Sequence, residues 1–203
     1  MKVALIGGTG NVGSKILAEA LERGHEVTVI VRHPDKLAPR PRLSARAGDV
    51  NDAAALAPLL AGHDAAISAV RFQATDPAAV LGALKQAGLK RLLVVGGAGT
   101  LRNAAGTELV DAPGFPEIAK PEALAGRRFL AALRAETALD WSFLSPSMVI
   151  APGTRTGRFR LGTDDLLVEA GGQSRISQED FAVAMIDELE TPRHIRQRFT
   201  VGY

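Results

Sequence analysis

Short apolar runs alternate with Ala/Leu-rich stretches of helical period through the first half of the chain. Val3–Ile6 is a run of four closed by glycines, and Glu26–Val31 (EVTVIV) is a second run rich in β-branched residues. Leu43–Ala47, Ala65–Val70 and Arg91–Val95 read as three further strands. Between them, residues Val12 to Arg23 predict a helix stopped by Gly24. Asn51 is placed to cap a helix reaching about Leu60, stopped by Gly62. Thr75 or Asp76 is placed to cap another, with Pro77 at its first position and Gly88 beyond its end. The order is βαβαβαβαβ. Strands that read as continuous apolar runs, separated by helices, predict a parallel sheet covered on both faces. Right-handed crossovers then wind it double, so the expected fold is α/β, a Rossmann-type doubly wound parallel sheet.

The second half is less regular. Gly96 to Glu117 is glycine-rich with few periodic apolar positions. A helix is expected over about Pro121 to Thr137 and a sixth strand over Trp141–Leu144, with Trp141 in the core. Ser145 to Arg160 reads as a Pro/Gly/Arg loop of the kind that carries function. Ser177 caps a last helix ended by Pro192, and Phe199–Val201 closes the sheet. The C-terminal part is thus a small irregular region on the substrate side. No repeat or linker divides the chain, which predicts one domain over residues 1–203.

Composition narrows the chemistry. Hydrophobic residues make up 46% and charged residues 23% of 203, a globular balance. The formal charge is only +2 and the arginines are spread out. RTGRFR (Arg155 to Arg160) is the nearest approach to a basic patch and reads as a solvated loop, so no nucleic-acid partner is expected. The absence of cysteine excludes disulfides, thiolate metal sites and a cysteine nucleophile, and it suits a reducing compartment. No apolar run is long enough for a signal-peptide core or a membrane span, so a cytoplasmic location with no membrane partner is expected. His25, His33, His63 and His194 stand apart and read as solvated residues, with no HExxH pattern for a metal. Ser145 has no GxSxG context for a nucleophile.

Residues 7–13 read GGTGNVG and fit both Gly7-x-x-Gly10-x-x-Gly13 and Gly8-x-Gly10-x-x-Gly13. The segment follows a strand, opens a helix and starts a βαβ unit, which is the context that makes such glycines a dinucleotide loop. The N–H groups of Asn11, Val12 and Gly13, with the helix dipole, favour a pyrophosphate there. A carboxylate at the end of the second strand would select NAD(H). The chain instead has Arg32, 22 residues beyond Gly10, and a guanidinium suits the 2′-phosphate of NADP(H) in charge and in fork geometry. Lys36 is placed to add to it. Asp49 either accepts from the adenine amino group, with Val50 against the ring, or caps the next helix. Ala69, Val70 and Arg71 end the fourth strand, where small residues leave room for the cofactor's riboses, and Gly96 and Gly97 end the fifth on the nicotinamide side.

These residues resemble the atypical short-chain dehydrogenase/reductases, in particular the NADH-flavin reductase family, related to the NmrA-like proteins and to biliverdin-IXβ reductase/flavin reductase. The resemblance runs over nearly the full length. It is carried by GGTGNVG (7–13), VIVRHPDKL (29–37), GDV (48–50), LLVVGGAGTL (92–101), FLSPSMVIAPGTRTG (143–157), SRISQEDFA (174–182) and RFTVGY (198–203). It implies phosphate contacts at Thr9, Gly10, Asn11 and Val12, a 2′-phosphate contact at Arg32, and a run of Pro146, Ser147 and Met148 beside the nicotinamide.

The departures from that pattern bear on the chemistry. The only tyrosine is Tyr203, so the Tyr-x-x-x-Lys dyad of the usual dehydrogenases cannot form. Ala98 occupies the position of the serine that follows strand 5 in flavin/biliverdin reductases, and Thr100 is the nearest candidate proton donor. A flavin or quinone places light demands on acid–base groups, because hydride goes to an electron-poor ring and solvent can supply the proton. Phe72, Phe115 and Phe159 are candidates to stack such a ring, and Arg71, Arg155 and Lys120 to hold acidic groups on it. The expected function is an NADPH-dependent reductase of a small planar acceptor, flavin or quinone-like. The alternative is an NADP(H)-binding sensor of the NmrA-like type without turnover.

Overall fold

Strand β1 (Lys2–Ile6) sends Val3 and Leu5 into one buried cluster and Ala4 and Ile6 into another. Period-two alternation with both faces buried is what a central parallel strand requires. Strand β5 (Arg91–Val95) divides the same way, Leu92 and Val94 to one face and Leu93 to the other. The structure, a computed structural model, describes residues 1–203.

The helices are α1 (Asn11–Glu22), α2 (Ala53–Leu60), α3 (Pro77–Gln86), α4 (Lys120–Ala135) and α5 (Gln178–Glu190). The remaining strands are β2 (Glu26–Val31), β3 (Leu43–Ala47), β4 (Ala65–Ser68), β6 (Asp140–Pro146), β7 (Val149–Ala151), β8 (Arg160–Gly162), β9 (Arg175–Ser177) and β10 (Gln197–Gly202). The main sheet has eight strands in the order β3-β2-β1-β4-β5-β6-β10-β8, all parallel except that β8 runs antiparallel to β10. Helices α1 and α5 cover one face through Ile16, Leu17, Phe181 and Met185; α2, α3 and α4 cover the other through Leu56, Val80, Leu84 and Phe129. This is the doubly wound Rossmann-type sheet, and its order reverses between β1 and β4.

Local chemistry sets most boundaries where the sequence marks them. Gly24 and Gly88 adopt φ of +84° and +69° as the stops after α1 and α3. Ser177 caps α5 by accepting from the Asp180 N–H at 3.0 Å. Trp141 is 3% exposed, in the core as expected.

Several expectations are corrected. Asp52, not Asn51, caps α2, accepting from the Ala55 N–H at 3.0 Å. Asn51 instead accepts from the Asp76 N–H and donates to the Ala74 carbonyl, tying the start of α2 to that of α3. β4 stops at Ser68, before Val70, because Gly7 crosses there; a Cβ on Gly7 would lie 2.7 Å from the Ala69 carbonyl oxygen. The segment from Ser145 to Arg160 is not one loop. β6 extends to Pro146, β7 pairs in parallel with β9, and Arg160 opens β8. Each of these added strands has three residues, too few to show alternation.

His25 and His194 are not solvated. His25 is 5% exposed, between the Met1 amine and Glu190, and His194 pairs with Glu188 at 2.7 Å while stacking on Phe199 at 4.1 Å. On α1, Glu19 is 4% exposed and accepts from Arg155 Nε (2.7 Å) and Nη2 (2.8 Å) and from Arg23 Nε (2.7 Å). Arg23 continues the chain of charges to Asp187 and Glu190 on α5. The bonds from Arg155 first, then Arg23, hold the Glu19 carboxyl below its ordinary value of about 4.5, against the burial that would raise it. A depressed carboxyl stabilises the fold above its unfolded value and loses that contribution as pH falls through its folded value. Glu19→Gln should therefore lower stability at neutral pH by about 2 kcal/mol. It should leave acid unfolding less steep below pH 4.5. Denaturation midpoints across pH measure both.

Candidate dinucleotide and acceptor site

The end of β1 lies at the point where the strand order reverses, and its residues turn directly into α1. Gly7 takes φ +86°, which favours glycine. A Cβ on Gly13 would stand 2.3 Å from the Gly7 carbonyl oxygen, so this position holds the loop against the helix only as glycine. Gly10 is different: its Cβ would meet only the Gly7 carbonyl oxygen, at 3.5 Å, and its own N–H donates to that oxygen. Gly10 N-caps α1 without a side-chain acceptor, the first turn has no acidic residue, and the N–H groups of Asn11, Val12 and Gly13 bond no protein acceptor. Thr9, Gly10 and Asn11 are exposed around them. The arrangement fits a pyrophosphate.

Arg32 follows β2 and is exposed, with no hydrogen bond or ion pair to any protein group. Lys36 lies on the next short turn, also free. Asp49 does not cap α2. Its Oδ1 accepts from the Asn51 N–H at 2.9 Å in a local turn. Val50 packs against the core beneath it. Ala69 and Val70 lie just beyond β4, half-buried beside Gly7.

A cavity of about 310 Å³ opens at the carboxyl ends of β5 and β6, under α4. Gly96, Gly97 and the turn Ala98–Thr100 form its floor, Phe72, Phe143 and Ala123 its wall, and Phe115, Pro116 and Met148 its rim. Gly96 is required, since a Cβ there would lie 2.4 Å from Phe143. Gly99 lets α4 approach, with Ala123 at 2.5 Å from the same construction. Phe72 is already stacked on Phe143 at 5.9 Å, which leaves Phe115 as the half-exposed ring facing the opening. Glu122 is the one charged side chain in the lining. Its carboxylate accepts from the Phe72 and Gln73 N–H groups and lies 3.6 Å from Arg71, which is otherwise exposed.

The profile of the family described as "NAD(P)H-binding" matches residues 7–192. The chain belongs to the NAD(P)H-binding family. Among relatives of this NAD(P)H-binding protein, the uncharacterized Bacillus subtilis protein YwnB is 39% identical over 99% of the chain and 98% of its own length. A solved structure from Bacteroides thetaiotaomicron, provisionally named an epimerase, is 44% identical with a TM-score of 0.94, covering 100% of this chain and 96% of that one. Another from Streptococcus pneumoniae, provisionally named an NADH-flavin reductase, is 34% identical with a TM-score of 0.86, covering 100% and 99%. The NAD(P)H-binding family match and the neighbour named an NADH-flavin reductase support an oxidoreductase-type role. No helix is long and apolar enough to cross a membrane.

Not every expected side chain of this NAD(P)H-binding protein comes to the cavity. Arg155 is bound to Glu19 on the far face of the sheet, Phe159 packs against that same face, and Lys120 pairs with Glu117. Pro146 is buried, and the Ser147 hydroxyl donates to the Val201 carbonyl at 3.0 Å, so of that trio only Met148 reaches the rim. Tyr203 donates to Asp180 at 2.7 Å and is no proton donor to the cavity. Thr100 is buried in the floor, and Arg198, unmarked in the sequence, donates to it from below. Glu122 and Arg198 are missed because each is an ordinary charge in its own segment. Only the chain crossing brings them here.

Proposed function

We propose that the protein is an NADPH-dependent reductase that passes hydride to a small planar acceptor of the flavin or quinone type. The observation that carries the reading is the cavity: an apolar, aromatic-rimmed slot at the carboxyl ends of β5 and β6, in the same sheet edge as the glycine loop. Reduced nicotinamide supplies the hydride when bound. The chain's part is to hold the cofactor through the Gly7–Gly13 loop and Arg32, to place the acceptor between Phe115 and the Gly96–Thr100 floor, and to keep water from the contact. The lack of a free cation in the lining favours an uncharged ring system in the slot. Any acidic tail would lie outside, where the exposed Arg71 stands beside Glu122 of the lining.

An epimerase that relays protons through a Tyr/Lys pair has no counterpart here, since Tyr203 is committed to Asp180 and Ser177. Gly97 supplies the test. Its backbone is extended (φ −129°, ψ 160°) and a Cβ there would meet nothing within 4 Å, so a side chain can start there without backbone strain. Gly97→Leu should fill the slot, leave stability near the parental level, and lower acceptor turnover by about two orders of magnitude. Unchanged turnover would place the acceptor elsewhere.

A further inference from the structure

Arg198 is a buried cation that the proposed chemistry has not used. It stands on β10, beside Phe143 of β6, and is 8% exposed. Its Nη1 donates both to the Thr100 carbonyl at 2.8 Å and to the Thr100 hydroxyl oxygen at 3.1 Å. Its Nε donates to Asp164 Oδ1 at 2.8 Å, and Nη2 bonds the same oxygen. The guanidinium is thereby held by one Asp164 carboxylate oxygen on one side and presents Nη1 to both Thr100 oxygens on the other.

This geometry orients the threonine. A hydroxyl has one proton and two lone pairs. One lone pair of Thr100 is taken by the guanidinium, and its proton reaches no acceptor within the protein. Thr100 lines the floor of the cavity, 4% exposed. A hydroxyl that accepts from a cation is a stronger donor through its own proton.

We infer that Arg198 is a positioning residue that fixes and polarises the Thr100 hydroxyl as a hydrogen-bond donor to negative charge arising on a planar ligand in the cavity. The inference rests on the reading of that cavity as an acceptor site. Hydride addition carries two electrons and one negative charge into the acceptor ring. Thr100 donates a hydrogen bond to the heteroatom where that charge collects, and water then supplies the proton that completes reduction. Arg198 touches neither acceptor nor cofactor and acts through Thr100. The other charges around the pair are Asp164, Arg134 on α4, 3.7 Å from Asp164, Arg102, which also acts on Asp164, and Glu122 in the cavity wall.

The test uses 2-naphthol as a redox-silent planar acid and follows its ionisation by absorbance when bound to the NADP⁺ complex of the full chain. Wild type and Thr100→Ser should show the same bound pKa. Thr100→Val and Arg198→Met should each raise it by about one unit, a tenfold change in ionisation. The double variant should raise it no further than either alone. Thr100→Val removes only a hydroxyl, so it keeps the test open if Arg198→Met folds poorly. Asp164→Asn, which retains Arg198, should give a smaller rise. A wild-type bound pKa in folded Arg198→Met, or in Thr100→Val, would overturn the assignment while leaving the acceptor site standing. Failure of naphthol to bind the wild type would overturn both, because the cavity would not be a site for planar ligands.

Discussion

Alanine at Gly13 should abolish NADPH binding and destabilise the protein by about 3 kcal/mol, at the upper end for an overpacked site. The added Cβ would lie 2.3 Å from the Gly7 carbonyl oxygen and 3.2 Å from the Gly8 Cα. Both obstacles are backbone, so no side chain can swing aside, and either the loop or the first turn of α1 must move. Valine at Gly10 should behave differently. Gly10 has ordinary dihedrals (φ −73°, ψ 170°) and only the Gly7 carbonyl oxygen near its Cβ, at 3.5 Å. Stability should fall by only about 1 kcal/mol, the cost of exchanging a glycine N-cap for a valine. The branched side chain would nonetheless stand over the open N–H groups of Asn11 and Val12, and NADPH binding should be lost. Titration of nicotinamide fluorescence beside chemical denaturation separates the two variants. Retained binding in Gly10→Val would remove the phosphate-cradle role from this loop.

Loss of the Arg32 guanidinium should weaken NADPH binding by about tenfold to a hundredfold, the range for hydrogen bonds to a charged group. NADH affinity should hardly change. Arg32 is exposed and has no partner in the protein, so Arg32→Ala disrupts no internal contact. Any effect on binding is then an effect on the ligand. The loss should shrink as salt is raised, because dissolved ions screen the attraction between a surface guanidinium and a phosphate. An equal loss for NADPH and NADH would contradict the 2′-phosphate assignment.

The sequence made the cofactor half of the molecule legible because that half is built from local signals. A β-branched run, a glycine with a helix after it and a Pro at a first helical turn each act within a few residues, and β2, β3 and β5 fall where those signals put them. The glycine loop was readable for the same reason. The half that forms the cavity was not, since its parts meet only through long-range packing. Gly96 and Phe143 face each other because β5 and β6 are neighbours, and nothing in either segment announces the other. Arg155 illustrates the converse. Its loop suggests a substrate contact, but the fold carries it across to Glu19, a buried glutamate on α1. The three-residue strands β7, β8 and β9 escaped detection because their stability comes from pairing partners, not from propensity.

The most direct test of the account is the rate of NADPH consumption with FMN, FAD, riboflavin and a simple quinone, each compared with NADH. A reductase of planar acceptors should oxidise NADPH with at least one of the four and use NADH less efficiently, the difference disappearing in Arg32→Ala. Tight NADPH binding with no consumption in any of the four would contradict the reductase reading and leave a protein that senses the cofactor without turning it over.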